Sequence, residues 1–459
     1  MVTYWEKVTN IVNGLEYIRR AREDYLPKFP NELEDDYNFR LSLGKFTNIY
    51  RDVLEGLATK PFEEEITLIG GESIPDSITD FVENVDGSGT HLSQFAALTF
   101  FNGINYALDW IFIDYPSITT NRPLNRAEVK EMKIKPFWSH VLAKNVCEVR
   151  TEIFGSEEVL SYIRIREPAL LLEDEKVRIF ERNGNVVTWS LWQEGIQIDG
   201  GQLSINRIPL VPFITGRRDG RTWKFFPVMQ DAADLQITLY QNETQLEYVK
   251  TLAGYPMLAA NGMRPEKGSD GKPVKVAIGP GRIMYGVPDG AGNHGEWRFI
   301  EPSANSLEFL KKDIAQTKQD LRELGRQPLT ALSTQLTTTT TSIAAGKARS
   351  AVTAWALSLK DALENALVIT AMFMGIKDYD PEVNVYTGFD NVLDDGSDLE
   401  TLNAARDRRD LSQETYLFEL KRRKVLSPEF KYEDELKRIM NEIPSEEADS
   451  PLTTPEDET

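Results

Sequence analysis

The order of helical patterns in the second half of the chain constrains the fold more than any other feature. Apolar residues recur at three- and four-residue spacing over 226–252, over 304–325 and from about 342 to 374, which predicts three long helices. Glycine, proline and short β-type runs fill the segment 253–303 between the first two helices. Two helices that bracket such an insertion should lie antiparallel, so the insertion should sit at one end of a helical stalk roughly 33 Å long.

An uncharged passage separates the second and third helical patterns. It runs from Pro328 to Ser342 and includes five successive threonines at 337–341. Because β-branched threonines are poor helix formers, we expect a loop here, with Ser342 capping the helix that follows. Gly325 should end the second helix, and Gly346 is the expected site of a kink in the third.

The first half of the chain combines helical and β-type patterns. We expect an amphipathic helix over 36–57 and a second helix over 92–113, which is apolar almost all round and therefore buried. Apolar and polar side chains alternate in several runs of 144–215, and Asn183-Gly184 is typical of a hairpin turn. This half therefore predicts a helical part followed by a β-rich lobe.

The C-terminal part should be mostly helical. A strand is expected over 383–386, and helices are expected over 399–423 and 432–443. Residues 444–459 are acidic and rich in proline, threonine and serine, so they should form a disordered tail. The predicted fold class is α+β, mostly helical.

Composition argues against several classes of protein. The single cysteine, Cys147, excludes an internal disulfide framework, and the three histidines lie far apart, so no metal site is indicated. The first residues lack an apolar signal-peptide core, and no run of roughly 20 apolar residues is present for a membrane span. We therefore expect a soluble protein that acts where it is made and has no membrane partner.

The formal net charge of −20 bears on nucleic-acid binding. Proteins that hold DNA tightly are usually basic, because their affinity comes from neutralising phosphates. The acidic balance therefore argues against tight, static DNA binding, but it is compatible with DNA that slides past the protein.

Enzyme signatures are not found in the sequence. There is no P-loop, no dinucleotide-binding loop, no hydrolase elbow and no H-E-x-x-H pattern. Asp35-Asp36 and Asp394-Asp395 are adjacent carboxylates that could bind magnesium, although the second pair is more typical of a loop before a helix. His140 has no evident partner and is interpreted as a structural histidine. We expect no catalytic residue, no cofactor and no metal.

Five segments, in their order along the chain, resemble those of bacteriophage portal proteins, the subunits of head-to-tail connector rings in tailed double-stranded DNA phages. They lie at 37–41, 105–116, 163–167, 208–213 and 337–354, and the resemblance covers nearly the whole chain. The order of the segments indicates the family more than any single motif does. The C-terminal region is short for the family, which implies a small crown.

The resemblance implies a portal-type fold with wing, stem, clip, tunnel loop and small crown. In chain order the implied parts are the wing 1–225, the first stem helix 226–253, the clip 254–303, the second stem helix 304–326, the tunnel loop 327–341, a long kinked helix with the wing return strand 342–398, crown-like helices 399–443 and the disordered acidic tail 444–459.

The family implies a structural and mechanical function at one capsid vertex of the virion, after assembly in the host cytoplasm. A homo-oligomeric ring, usually a dodecamer, would conduct double-stranded DNA during packaging and ejection without reading its sequence. The implied partners are the packaging terminase, head-tail adaptor or neck proteins, and the major capsid and scaffolding proteins. Twelve helices spaced roughly 8–10 Å apart leave a bore of about 10–14 Å radius, and B-DNA of roughly 10 Å radius passes through it.

Two sets of residues are candidates for contact with DNA in the channel. The tunnel loop carries short, uncharged side chains that could touch DNA through weak hydrogen bonds. Its candidate residues are Thr330, Ser333, Thr334, Gln335, Thr337, Thr338, Thr339, Thr340 and Thr341. The second set is a row of cations on the second stem helix, which we call the stem stripe. It consists of Lys311, Lys318, Arg322 and Arg326.

Each set also has a simpler interpretation. The loop could be a flexible linker between two helices. The stem stripe could be a solvated face whose charges are offset, through i,i±4 pairing, by the carboxylates of Glu308, Asp313, Asp320 and Glu323. Two further basic clusters, at 217–221 and 421–424, are interpreted as subunit contacts or surface.

Two other functions stay open at the level of sequence. One is another virion structural protein, such as a neck adaptor or minor head protein, which the order of helix, insertion, helix and loop disfavours. The other is a magnesium-dependent nuclease that uses Asp394 and Asp395.

Overall fold

The chain divides into two compact units, Met1–Thr387 and Gly388–Thr459. The computed structural model describes residues 2–116, 134–168, 174–254, 257–261, 263–264, 287–288, 296–300, 304–326, 338–387, 397–408 and 410–422, together with single positions between 425 and 438. The described part mixes helices with antiparallel sheets, as the predicted α+β class requires.

The chain over 2–106 is mainly helical, and its helices α1, α4 and α6 pack on one another. In chain order the helices are α1 Val2–Asn13, α2 Leu15–Arg20, α3 Glu34–Ser42, α4 Ile49–Ala58, α5 Asp76–Val82 and α6 Leu92–Tyr106. The single helix predicted over 36–57 is wrong, because α3 and α4 are separate. The side chain of Asn48 begins α4 by accepting a hydrogen bond of 3.0 Å from the backbone N–H of Arg51.

The helix predicted over 92–113 is wrong in its second half. α6 ends at Tyr106, Ala107 adopts a left-handed φ of 71°, and the chain continues as strand β2, Leu108–Asp114. β2 is the central strand of an antiparallel sheet, between β3, Phe137–Leu142, and β9, Leu210–Ile214. A central strand that is buried on both faces is apolar all round, as a buried helix is, which explains the error.

A five-stranded antiparallel meander forms the predicted β-rich lobe. Its strands are β4 Val146–Phe154, β5 Glu157–Glu167, β6 Lys176–Asn183, β7 Val186–Gln193 and β8 Ile196–Gln202. Asn183 pairs with Val186 across a tight turn in which Gly184 has a φ of 61°. The predicted hairpin is therefore confirmed.

Two long helices flank the insertion, as the sequence predicts. They are α7, Gln230–Gly254, and α8, Ala304–Arg326. α7 begins later than the predicted residue 226, because β11, Phe225–Phe226, pairs with β10, Arg217–Arg218. α8 continues one residue past Gly325, which therefore does not end it.

The strands of the insertion pair with each other between the C-terminal end of α7 and the N-terminal end of α8. In its described part, β12, Met257–Asn261, pairs antiparallel with β15, Glu296–Ile300, and β13, Met263–Arg264, pairs with β14, Val287–Pro288. α7 and α8 pack side by side, so the two helices run antiparallel with the strands at one end.

The uncharged segment 327–337, the threonine passage, precedes helix α9. This helix spans Thr338–Met374 and begins earlier than predicted. Residues 338–341 therefore lie in its first turn and not in a loop, and Ser342 is not its cap. Propagation along a 37-residue helix outweighs the weak helix propensity of these threonines. The helix is continuous through Gly346, where the expected kink stays a prediction.

α9 is anchored to the sheets of the larger unit. The indole N–H of Trp138 on β3 donates a buried hydrogen bond of 2.8 Å to Oγ1 of Thr370. After α9, the strand β16, Glu382–Asn384, pairs with β1, Thr67–Ile69. The strand predicted over 383–386 is therefore present, with slightly different bounds.

The smaller unit contains two described helices, α10, Ser397–Asp407, and α11, Gln413–Arg422. The single helix predicted over 399–423 is wrong, because Oγ of Ser412 accepts a hydrogen bond of 3.1 Å from the N–H of Thr415 and starts α11 anew. Most of 432–443 and all of 444–459 lie outside the described residues. None of the described helices combines the length and apolarity that crossing a lipid bilayer requires.

Candidate functional site

The packed helices α7 and α8 form the part of the molecule that carries the stem stripe. Two polar side chains of α7 are buried against the chain that leads into α4. Gln236 accepts hydrogen bonds from the backbone N–H groups of Ile49, at 3.1 Å, and Tyr50, at 3.0 Å. Glu243 accepts from the N–H of Thr47, at 2.9 Å, and from its hydroxyl, at 2.7 Å. Both side chains therefore fix the start of α4 against α7.

Lys318 of the stem stripe completes this buried arrangement. Its ammonium lies 2.7 Å from Oε1 of Glu243, whose side chain is only 3% exposed. A carboxylate in this position needs a compensating charge, since an unpaired buried charge costs several kcal/mol. Lys318 is thus directed at α7 and paired within its own chain, which argues against the predicted contact with passing DNA.

The other stripe residues differ from Lys318. Lys311 and Arg322 are exposed, and no ion pair joins either to another described residue. The side chain of Arg326 lies outside the described residues. Of the stripe side chains that the structure describes, Lys311 and Arg322 therefore lie outside any ion pair, on the same side of α8 and about 16 Å apart along its axis.

The carboxylates that could offset the stripe lie elsewhere on α8. Asp313 accepts a hydrogen bond of 2.7 Å from the side-chain amide of Asn242, and Asp320 accepts one of 2.7 Å from Gln316. Glu323 accepts one of 2.8 Å from Gln319. Among the described residues of α8, no cation pairs with these carboxylates, so the expected i,i±4 neutralisation of the stripe is not observed.

The tunnel-loop candidates fall into two groups. Thr330, Ser333, Thr334, Gln335 and Thr337 lie outside the described residues. Thr338, Thr339, Thr340 and Thr341 belong to the backbone of the first turn of α9.

A buried polar cluster near β2 was missed from the sequence. Oδ2 of Asp109 lies 3.3 Å from Nδ1 of His140 and 3.2 Å from the side-chain amide of Asn102. Burial raises the pKa of the Asp109 carboxyl above its usual range, and the hydrogen bond from His140 opposes that shift. His140 also stacks on Phe95 with the ring centroids 4.0 Å apart. The prediction that His140 lacks a partner is therefore wrong, and its interpretation as a structural histidine stays a prediction.

A cleft of about 720 Å³ lies beside the β4–β5 hairpin and α9, and it contains three arginines. Each faces a glutamate. Arg218 makes two hydrogen bonds to Glu158, at 3.0 and 2.8 Å, while Arg182 and Arg207 lie 3.4 Å from Glu152 and Glu157. The pairing holds the pKa of Glu158 at about 2. The cations of this cleft are thus neutralised within the chain and do not form an anion site.

The carboxylate pairs considered for magnesium give no support to metal chemistry. Asp35 and Asp36 are exposed in the first turn of α3, and Asp394 and Asp395 lie outside the described residues. In the described part of the chain, histidine, cysteine, aspartate and glutamate side chains do not come together in a group that could hold a metal ion.

Residues 228–374 match a protein family described as a domain of unknown function, DUF4055. The match begins just before α7, includes the insertion and α8, and ends with α9. No curated protein matches the chain in sequence.

Among solved structures, the chain is similar to one in the neck of an empty GTA particle computed with C6 symmetry. The two are 12% identical, with a TM-score of 0.42, over 82% of this chain and 90% of that chain. A chain in the neck of a native GTA particle computed with C12 symmetry is 12% identical, with a TM-score of 0.42, over 88% and 98%. A chain in the virion of a native gene transfer agent (GTA) particle is 10% identical, with a TM-score of 0.38, over 85% and 93%.

Proposed function

We propose that this chain is the subunit of a portal-type ring, a virion structural protein through which double-stranded DNA is packaged and ejected. The observation that carries the proposal is the helix pair. α7 and α8 run antiparallel, the paired strands β12 and β15 lie at one end, and α8 keeps an exposed polar face along its length. Such a rod can stand beside copies of itself around a channel, with α7 as stem helix one and α8 as stem helix two.

The connection after the stem supports the same architecture. α9 follows the threonine passage and is fixed to β3 through Trp138 and Thr370, and β16 then returns to β1. In a portal-type ring these contacts would couple the stem to the wing, so that a movement at the threonine passage could reach the outer lobe. The strands at the stem end would form the clip, and α10 and α11 a small crown.

The contact with DNA would be made by uncharged groups. Thr330, Ser333, Thr334, Gln335 and Thr337, with the first turn of α9, would form a hydroxyl-bearing rim around the duplex. Hydrogen bonds from neutral side chains to phosphate carry no sequence information and are weaker than those from cations. Such a rim fits a chain of net charge −20, past which DNA must move without being held.

In this proposal the ring docks the packaging terminase, the capsid and scaffolding proteins, and later a neck or adaptor protein. The chain hydrolyses no nucleotide, and the terminase supplies the energy. Of the stem stripe, Arg326 keeps its proposed place in the channel. Lys311 and Arg322 would face either passing DNA or the adjacent subunit.

Two measurements on the purified protein test this proposal, the mass of the assembled oligomer and its image in the electron microscope. Native mass spectrometry of the purified full chain should give a closed oligomer, and negative-stain images should show a ring with a central opening. A chain that stays monomeric, even with its capsid and scaffolding proteins, would overturn the proposal.

Deletion of the gene separates a portal from a neck adaptor. Without a portal, heads should contain no DNA, because packaging has no entrance. Without an adaptor, heads should fill and then leak. DNA-filled heads in the deletion strain would therefore show that this chain is a neck adaptor and not a portal subunit.

A further inference from the structure

Two pairs of like charges lie on opposite sides of α8. With about 100° of rotation per residue, Lys311 and Arg322 lie within about 20° of each other around the helix axis, and so do Asp313 and Asp320. The two pairs are about 160–200° apart, on opposite flanks. The buried seam of Ile314 and Leu321, which faces the rest of the chain, runs between them.

Neither flank is neutralised within the helix. Asp313 and Asp320 have no lysine or arginine three or four residues away, and Arg322 has no carboxylate at those positions. Glu308 lies three residues before Lys311, but no ion pair joins them, and the ion pair recorded for the described part of α8 is that of Lys318. The two sides of α8 therefore carry opposite charges that no ion pair in the described part of the chain neutralises, while the neutral amides of Asn242 and Gln316 donate hydrogen bonds to Asp313 and Asp320.

We propose that the basic flank of α8 binds the acidic flank of α8 in the next copy of this chain, so that the stem closes into a ring by a repeated head-to-tail charge contact. This inference rests on the proposed ring. In a cyclic ring each subunit uses two different surfaces, and these must be complementary to each other. α8 carries both surfaces, and they point in nearly opposite directions, as a ring requires.

The heights of the charges along the helix agree with this contact. Rotation about the ring axis leaves every residue at its own height, so flanks that meet must carry their charges at matching levels. Lys311 and Asp313 differ by two residues, and Arg322 and Asp320 differ by two in the opposite sense. At 1.5 Å per residue each mismatch is about 3 Å, which a lysine or arginine side chain spans.

The arc between the flanks, away from the seam, would then face the bore. It holds Glu308, Lys312, Gln316, Gln319 and Glu323, a mixed set with no excess of positive charge. Phosphates would find no strong attraction there. This distribution favours the adjacent subunit over DNA as the partner of Lys311 and Arg322.

The test reverses each flank in turn in the full chain. The first variant carries Lys311→Glu and Arg322→Glu, and the second carries Asp313→Lys and Asp320→Lys. Each alone places like charges across every interface, so native mass spectrometry should show loss of the ring. A one-to-one mixture of the two should restore it, because alternating subunits again face opposite charges, and the chain with all four changes should also form rings.

Lys312→Glu is the matched control, since it reverses a neighbouring cation that lies on neither flank, and it should leave the ring mass unchanged. Far-UV circular dichroism checks that each variant is folded, and rescue by mixing requires folded chains. Rings should also weaken as ionic strength rises toward about 1 M, where the screening length is about 3 Å.

The outcomes distinguish this inference from the proposed function. A wild-type chain that never forms a ring overturns both. Wild-type rings that persist in both reversed variants, or a loss that neither mixing nor the fourfold variant repairs, overturn the charge contact and leave the ring standing. Rings of the first variant that assemble but no longer package DNA would assign Lys311 and Arg322 to the channel instead.

Discussion

The ammonium nitrogen of Lys318 lies 2.7 Å from a carboxylate oxygen of Glu243, which is buried on the adjacent helix of the stem pair. The same carboxylate accepts two hydrogen bonds from Thr47, so one side chain joins α7, α8 and the chain that leads into α4. This contact leaves the ammonium of Lys318 paired within its own chain. It also makes the helix pair sensitive to single substitutions at its centre.

We expect Glu243→Ala to lower the free energy of unfolding by about 3 kcal/mol, because it removes a buried carboxylate and strands the Thr47 N–H. Lys318→Met should cost about 1–3 kcal/mol, since the carboxylate keeps its two bonds to Thr47. Urea denaturation measures both. Lys312→Met is the control on the same helix, at an exposed lysine on neither flank, and should change stability by no more than about 0.5 kcal/mol. An equal effect of the two lysine substitutions would contradict the assignment of Lys318.

Two helical glycines should respond oppositely to alanine. A Cβ at Gly103 on α6 would lie 2.2 Å from Cε1 of Phe213, so Gly103→Ala forces a buried ring on β9 to move and should destabilise the chain by about 1–3 kcal/mol. A Cβ at Gly56 on α4 meets no atom within 4 Å, and Gly56→Ala should stabilise by about 0.5–1 kcal/mol. Thermal melting compares the two. Shifts of the same sign would show that α6 does not pack on β9 as described.

The sequence predicted those helices and turns whose geometry depends on residues close to them in the chain. The extent of α8 follows from its apolar spacing, and the hairpin at Gly184 follows from a turn that needs a positive φ. The run 92–113 could not be resolved in this way, because burial on all sides removes the periodicity that separates a helix from a strand. The break at Ala107 has no glycine to mark it.

In the candidate site, too, the sequence predicted features that depend on local spacing but not contacts between residues far apart in the chain. The cations of the stripe could be found from their spacing, but the partner of Lys318 is 75 residues away (318 − 243) and is chosen by tertiary packing. Asp109 and His140 meet because β2 and β3 pair with Ile111 opposite His140, which places Asp109 diagonally across on the same face. This contact cannot be predicted from the sequence unless the pairing of residues between β2 and β3 is known.

The buried Asp109 carboxyl should make stability depend on pH in a defined direction. Because burial raises its pKa in the folded chain above the usual value of 3.8, its contribution to stability is complete below that value and is lost as pH rises through the folded-state pKa. The asparagine side chain of the Asp109→Asn variant does not titrate, so the variant lacks this pH-dependent contribution. The free energy of unfolding of the wild-type chain, relative to that of the variant, should therefore fall as pH rises from about 3.8.

Urea titrations of both chains at several acidic pH values, below the range in which imidazole usually titrates, measure this difference. Asp76→Asn, at an exposed position at the start of α5, is the control and should show no comparable trend. A constant difference between wild type and Asp109→Asn across the acidic range would show that the carboxyl is not held in the buried environment described.

The threonine passage should be needed for DNA movement and not for assembly. Deletion of residues 330–337 stops before the first turn of α9, so it removes no residue from either of the helices that flank the passage. We expect normal ring mass by native mass spectrometry, together with a reduced yield of DNA-filled heads in a packaging assay. Replacing the same eight residues with glycine and serine keeps the length and most of the small size, and it should package better than the deletion. Loss of the ring in the deletion variant would instead make the passage a subunit contact.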